Sequence, residues 1–163
     1  MKSLTPEQIE QGLTDKRAKI REKFAERQGI ILTLEQIERG LTDEDGWVRE
    51  AFAHRKEFTP KPRQIERGLT DEKWEVRLAF AQRDDITLTL KQIERGLADE
   101  NWEVRSVFAR CKYIPLTPAQ IEQQLTDKSY WVRGAFMYRK DFAPSSEQIE
   151  GGNGVDDENE AVV

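Results

Sequence analysis

Residues 33–58 read TLEQIERGLTDEDGWVREAFAHRKEF, and the chemically distinctive positions of that stretch recur every 28 residues in both directions. Ile9, Ile37, Ile65, Ile93, Ile121 and Ile149 form one column. Glu10, Glu38, Glu66, Glu94, Glu122 and Glu150 form the next. Leu13 to Leu125, Asp15 to Asp127, Arg21 to Arg133 and Phe24 to Phe136 keep the same step. Chance does not hold six columns in step across 140 positions, so the chain is a repeat array of five full units and the start of a sixth.

Each unit predicts two short helices. Thr33 followed by Gln36 is a capping box, in which the hydroxyl caps a backbone N–H and the amide reaches back. Thr5/Gln8, Thr89/Gln92, Thr117/Gln120 and Ser145/Gln148 repeat it, and Lys61 replaces the cap in the third unit. Pro6, Pro62 and Pro118 stand at the first helical position, where a missing N–H costs nothing. Gly12, Gly40, Gly68, Gly96 and Gly152 are expected to end the first helix as left-handed caps, with Gln124 departing from the column. Thr42-Asp43 is expected to open the second helix, which runs to about Arg55. One apolar anchor per connection follows: Ile30, Phe58, Ile86, Ile114 and Phe142.

Counting from the Asp column, apolar residues fall at +5 (Ile20, Val48, Val76, Val104, Val132) and +9 (the Phe column), and +8 is mostly small. These positions share one helix face. A pair of helices this short cannot bury its own stripe, whereas stacked neighbours can. The expected fold is all-α: a right-handed α-solenoid of about five 28-residue two-helix repeats with a partial sixth as a cap. Residues 1–150 would form a single repeat domain, with a helical cap at 145–150. The acidic stretch 151–163, GGNGVDDENEAVV, would be a disordered tail.

Composition narrows the function. Of the 163 residues 35% are charged and 37% hydrophobic, yet four Trp and seven Phe argue for a packed core. The net charge of −5 belongs to the end of the chain. Residues 145–163 hold six acidic and no basic side chains, leaving 26 basic against 25 acidic before them. A nearly neutral body suggests neither a nucleic-acid binder nor a nucleic-acid mimic. No apolar run is long enough to span a membrane, and MKSLTPEQIEQGL lacks the apolar core of a secretory leader. A single cysteine, Cys111, fits a reducing compartment, so a cytoplasmic location is expected.

The unit resembles HEAT repeats and, more closely, the bacterial leucine-rich repeat variant family. The resemblance is carried by Asp71-Glu72-Lys73-Trp74-Glu75-Val76-Arg77, by Ala79-Phe80-Ala81 and by the later Thr-Pro or Thr-Leu, and it covers residues 4 to about 150. It implies that Asp43/Arg49, Asp71/Arg77, Asp99/Arg105 and Asp127/Arg133 form a structural ladder between neighbouring repeats. The 28-residue unit is shorter than the usual HEAT repeat of ~40–47 residues. The cysteine cluster of iron–sulfur-bearing family members is absent from this sequence, so no cofactor is expected.

Catalysis needs unlike residues converging on one place, and an array repeats the same residue instead. The singular candidates, His54 and Cys111, sit two repeats apart and are not expected to form a nucleophile–base pair, nor a metal site. No enzyme activity and no small-molecule substrate are expected. Two Arg columns, at +6 and +12, could read phosphates; the alternatives are the Asp–Arg ladder and pairing with helix C-termini. The variable columns +3, +4, +7 and +11 of the second helix grade from acidic (Glu22, Glu26) to aromatic (Tyr130, Trp131, Tyr138). Trp47, Trp74, Trp102, Arg110, Tyr130, Trp131 and Tyr138 are therefore candidate contacts to a partner protein. The tryptophans are either such anchors or lids folded over small residues such as Ala81 and Ala109. The expected function is a non-enzymatic protein-interaction module, an adaptor or inhibitor; the alternative is a nucleic-acid or nucleoprotein-binding solenoid using Arg ladders.

Overall fold

A computed structural model of the chain describes residues 4–111 and 116–139. Among these residues it is all-α, with ten helices and no strand. The first helices of successive repeats are α1 (Pro6–Leu13), α3 (Leu34–Leu41), α5 (Pro62–Gly68), α7 (Leu90–Leu97) and α9 (Pro118–Leu125). The second helices are α2 (Ala18–Ala25), α4 (Gly46–Ala53), α6 (Trp74–Ala81), α8 (Trp102–Arg110) and α10 (Tyr130–Met137). The chain falls into two compact units, Met1–Gly96 and Leu97–Val163. In the first, α1 packs on α2, α3 on α4 and α5 on α6, while α4 also packs against both α2 and α6. In the second, α10 packs against α8 and α9. Helices of two turns do not persist alone in water, so this packing is what sustains them.

The first helices start as their sequences direct. Thr5, Thr33, Thr89 and Thr117 each accept from the N–H of the Gln three residues on, whose side chain accepts from the Thr N–H in return. At Lys61 only half of the box survives: Gln64 accepts from the Lys61 N–H at 2.7 Å. Two expectations about the helix ends are corrected. Thr42 closes α3 rather than opening α4, its hydroxyl donating to the Glu38 carbonyl at 2.8 Å; Thr14, Thr70 and Thr126 do the same. The second helix begins later, at Gly46 behind an Asp45 cap in the second repeat. The Asp column bridges the gap. Asp43, Asp71, Asp99 and Asp127 each accept from the N–H two residues ahead at 2.8–2.9 Å, fixing the turn between the helices.

The glycine column does not cap. Gly12, Gly40, Gly68 and Gly96 lie inside their helices, and the left-handed glycine among the described residues is Gly29, at φ 76°. Their small size is what matters. A Cβ on Gly12, Gly40 or Gly68 would overlap the ring of Phe24, Phe52 or Phe80 respectively. Each glycine is thus the socket for the Phe of its own repeat. Phe52, Phe80, Phe108 and Phe136 are buried to 2% exposure or less, as are Val48, Val76, Val104 and Val132. Ala25, Ala53, Ala81 and Ala109 complete the buried face, Ile30 and Phe58 are buried, and Ile86 is half-buried. Ile114, Phe142, Gly152, the expected cap at 145–150 and the acidic stretch 151–163 lie outside the described residues.

Gln124 takes the glycine's place in the fifth repeat. It is fully buried, its Nε2 lies 3.4 Å from the Leu97 carbonyl, and its Oε1 has no hydrogen-bond partner among the described residues.

Gly68→Ala is expected to destabilise by about 1–3 kcal/mol, because the added methyl has to displace the Phe80 ring from a filled core. Gly134→Ala is expected to be neutral or to stabilise by up to ~1 kcal/mol. Gly134 lies within α10, a Cβ there meets nothing within 4 Å, and alanine favours helix. Urea midpoints for the two variants provide the comparison, and equal midpoints would remove the socket account.

Candidate functional site

Seven arginines are buried: Arg21, Arg49, Arg55, Arg77, Arg83, Arg105 and Arg139. A guanidinium with five donors tolerates burial only where fixed oxygens surround it. In the +6 column, Arg21 forks onto the Asp43 carboxylate at 2.8 and 2.7 Å, Arg49 onto Asp71 at 2.8 and 2.8 Å, and Arg105 onto Asp127 at 2.7 and 3.0 Å. The third guanidinium nitrogen turns back to the repeat's own Asp carbonyl, as in Arg49 to Asp43, Arg77 to Asp71 and Arg133 to Asp127. Arg21 and Arg49 are held above the ordinary arginine value by these hydrogen bonds to Asp43 and Asp71.

The +12 column does something else. Arg55 donates to the carbonyls of Ala25, Arg27 and Ile30, and Arg83 to those of Ala53, Arg55 and Phe58. Arg139 reaches Ala109 and Cys111 in the same way. Each therefore closes the C-terminus of the preceding repeat's second helix, where carbonyls lack intrahelical partners. Cys111, half-exposed with a free thiol, stands in this column and has no fork to offer.

A third set lies on the first helices. Glu10 accepts from Gln36 and Arg39, Glu38 from Gln64 at 2.6 Å and Arg67 at 2.8 Å, and Glu66 from Gln92 and Arg95, both at 2.8 Å. The columns taken one at a time do not pair these glutamates with the arginines and glutamines. The 26- and 29-residue separations were the missed signal, since they place both partners one repeat on.

The variable face of the second helices carries the side chains left over. In the second unit Trp131 is 61% exposed, Tyr130 49% and Tyr138 82%. Trp131 stacks on Trp102 with centroids 6.2 Å apart, and Tyr130 meets its edge at 5.8 Å. Trp102 is half-buried against Ala109, Val132 and Phe136. It is a core lid, and Trp131 lies over it facing solvent. Gly134 opens onto empty space nearby in the sequence, and Arg110 is exposed at the end of α8.

In the first unit Trp47 is 50% exposed and Trp74 half-buried. Lys73 places its ammonium 3.0 Å from the Trp47 ring centroid and pairs with Glu75 at 3.3 Å, and Gly46 leaves room for the Lys73 stem. On this face a cleft of about 730 Å³ is lined by Glu22, Glu26, Trp47, Glu50 and His54 over a floor of Ala25 and Ala51. Burial pushes the Glu50 carboxyl above the usual glutamate value, and His54 lies 3.8 Å from it. Sequence reading placed Glu22, Glu26 and Glu50 on the variable face but did not gather them into a cleft, because the hollow between α2 and α4 is a packing outcome.

Among the described residues no group of three or more His, Cys, Asp or Glu side chains is placed to hold a metal, and no helix is long and apolar enough to cross a membrane. Comparison with known proteins finds no matching family model, no matching curated protein and no matching solved structure.

The first-helix glutamates set an acid limit on stability. Arg39 and Gln36 hold the Glu10 carboxyl below its usual value, Gln64 and Arg67 do so for Glu38, and Gln92 and Arg95 for Glu66. A lowered folded value means that the stabilisation is complete above the unfolded value, about 4.3, and is lost as pH falls through the folded values. Melting temperature is therefore expected to hold from pH 7 to about 5 and to drop below about 4. Glu38→Gln should flatten that drop relative to the wild type in thermal melts across the range.

Proposed function

We propose that this chain is a non-enzymatic protein-interaction module that presents the variable face of its second helices to a partner protein, as an adaptor or an inhibitor. The observation that supports it best is the aromatic patch of α10. Trp131 and Tyr138 leave most of their surface in water, and Trp131 rests on a lid that already satisfies the core. Large aromatics held rigid and left exposed are the side chains that carry binding energy at protein interfaces. Open space at Gly134 would admit an incoming side chain.

The arginine columns favour this reading over a phosphate-reading surface. Arg21, Arg49, Arg55, Arg83 and Arg105 spend their donors on the protein's own carboxylates and carbonyls. Arg39, Arg67 and Arg95 face glutamates. Phosphate binding draws on uncommitted cations gathered on one face. The proposed kinship with HEAT-like and leucine-rich repeat variant proteins rests on the sequence motif Asp71–Arg77 and Ala79-Phe80-Ala81, and a cytoplasmic setting suits a lone free thiol at Cys111.

Trp131→Ala and Tyr138→Ala are expected to leave the melting temperature within ~2 °C while each lowers partner capture by 2 kcal/mol or more, roughly 30-fold in affinity. Trp102→Ala is expected to do the reverse, melting early because its lid is gone. The measurement is quantitative capture from the native cell with nuclease-treated extract, beside thermal melts of the same variants. Capture unchanged by Trp131→Ala and Tyr138→Ala but abolished by moderate salt or nuclease would replace this reading with nucleic-acid binding.

A further inference from the structure

The cleft between α2 and α4 has a chemistry of its own. Most of its charges are already committed. Glu22 pairs with Lys19 at 2.7 Å, Arg55 with Glu57 and three carbonyls, and Lys56 with Asp84 at 3.2 Å. Arg27 lies over the Phe24 ring, 5.5 Å from its centroid. The lining carboxylates with no Lys or Arg at salt-bridge distance among the described residues are Glu26 and Glu50; Glu50 has the His54 imidazole at 3.8 Å, and Arg27 is an exposed cation of the lining. Glu26 is exposed at the end of α2, and Glu50 is half-buried in the middle of α4. Beside them stands Trp47, half its surface exposed, whose ring lines the cleft and carries the Lys73 ammonium 3.0 Å from its centroid. Ala25 and Ala51 contribute small apolar surface to the lining, and 730 Å³ is in the range of clefts that take a side chain and its neighbours.

We propose that this cleft seats a Lys or Arg side chain from a basic segment of the partner protein, with Glu26 and Glu50 as its counter-charges and Trp47 as the wall against its alkyl stem. The proposal rests on the interaction reading above and supplies the partner's chemistry for the first unit. Charge complementarity selects the occupant. An anion would face four lining glutamates against three cations, of which Arg55 and Lys56 are already paired, and a purely apolar side chain would bury Glu26 and Glu50 without adding a partner. A long basic side chain satisfies both parts of the site, because its stem is apolar and its head is charged. Glu50 fits the role energetically: burial disfavours its charge in the free protein, and an arriving cation removes that penalty.

The test uses the full-length ¹⁵N-labelled chain and three probes: acetyl-Gly-Arg-Gly-amide, its Lys counterpart and its norleucine counterpart. The Arg and Lys probes are expected to shift the Trp47 indole N–H and the Glu26 and Glu50 amides saturably, and the norleucine probe to leave them still. The Glu26→Gln/Glu50→Gln double variant, checked by its spectrum to be folded, is expected to weaken the Arg probe about tenfold or more. Glu122→Gln, an exposed carboxylate on α9, should change nothing. The proposal is overturned if the norleucine probe shifts the same resonances, if shifts scatter over exposed carboxylates generally, or if the double variant binds as the wild type does. Failure here with capture still lost in Trp131→Ala removes the basic-residue site and leaves the interaction reading intact. Probe binding with capture indifferent to every face variant removes the interaction reading instead.

Discussion

A guanidinium taken out of water has to recover its lost hydration from oxygens fixed in the right places, and leaving any of them out costs several kcal/mol. Among the described residues the protein buries seven such groups, Arg49, Arg83 and Arg105 among them, beside a core of Phe, Val, Leu and Ala side chains. In the +6 and +12 columns the oxygens include those of the neighbouring repeat. Arg49 reaches forward 22 residues to Asp71, and Arg83 reaches back 30 to Ala53 and 25 to Phe58. A repeat is therefore not stable first and stacked afterwards. Its buried charges are satisfied only once the next repeat is in place.

That dependence explains the rigidity of the period. One inserted residue between Arg49 and Asp71 would pull the fork off its carboxylate and would also shift Gln64 and Arg67 away from Glu38. The Phe–Gly contact adds a steric condition inside each repeat, since Phe80 fits only where Gly68 withholds a Cβ. Columns bound by neither condition are free to differ, and the second-helix positions +3, +4, +7 and +11 are those columns. The distinction between constant and variable positions within one chain is thus a map of which side chains the packing has already used.

Much of this was legible in the sequence, and the failures are instructive. The helix pairs, the capping boxes, the buried Val and Phe columns and the Asp–Arg spacing follow from residue type and period. The glycines were misread because a helix-ending glycine and a helix-packing glycine look alike in one dimension. Only the position of the Phe52 ring over Gly40 separates them. Thr42 was misread for a similar reason: threonine caps N-termini often enough to mask its use here, donating back to the Glu38 carbonyl at the end of α3. On the functional face, the aromatic columns were visible, but which tryptophan is lid and which is surface depends on burial. Trp102 and Trp131 are one repeat and one column apart, and only their stacking assigns the roles.

The side chains proposed to meet a partner share a thermodynamic mark: the fold gains little from them and in one case pays for them. Trp131 adds apolar surface to solvent over a core that Trp102 has already covered. Burial disfavours the Glu50 charge, which among the described residues has only the His54 imidazole, at 3.8 Å, within salt-bridge distance, whereas Arg49 and Arg105 are forked onto carboxylates. Gly134 gives up helix propensity in α10 where no neighbour needs the space. Arg21, Arg49 and Arg105 fill their forks with carboxylates, whereas Arg95 leaves Nη1 buried without a hydrogen-bond partner among the described residues, so the ladders satisfy most of their arginines and not all. An indole in water, a half-buried carboxylate and a bare helix position fall on one set of columns, and the proposed partner would account for all three together.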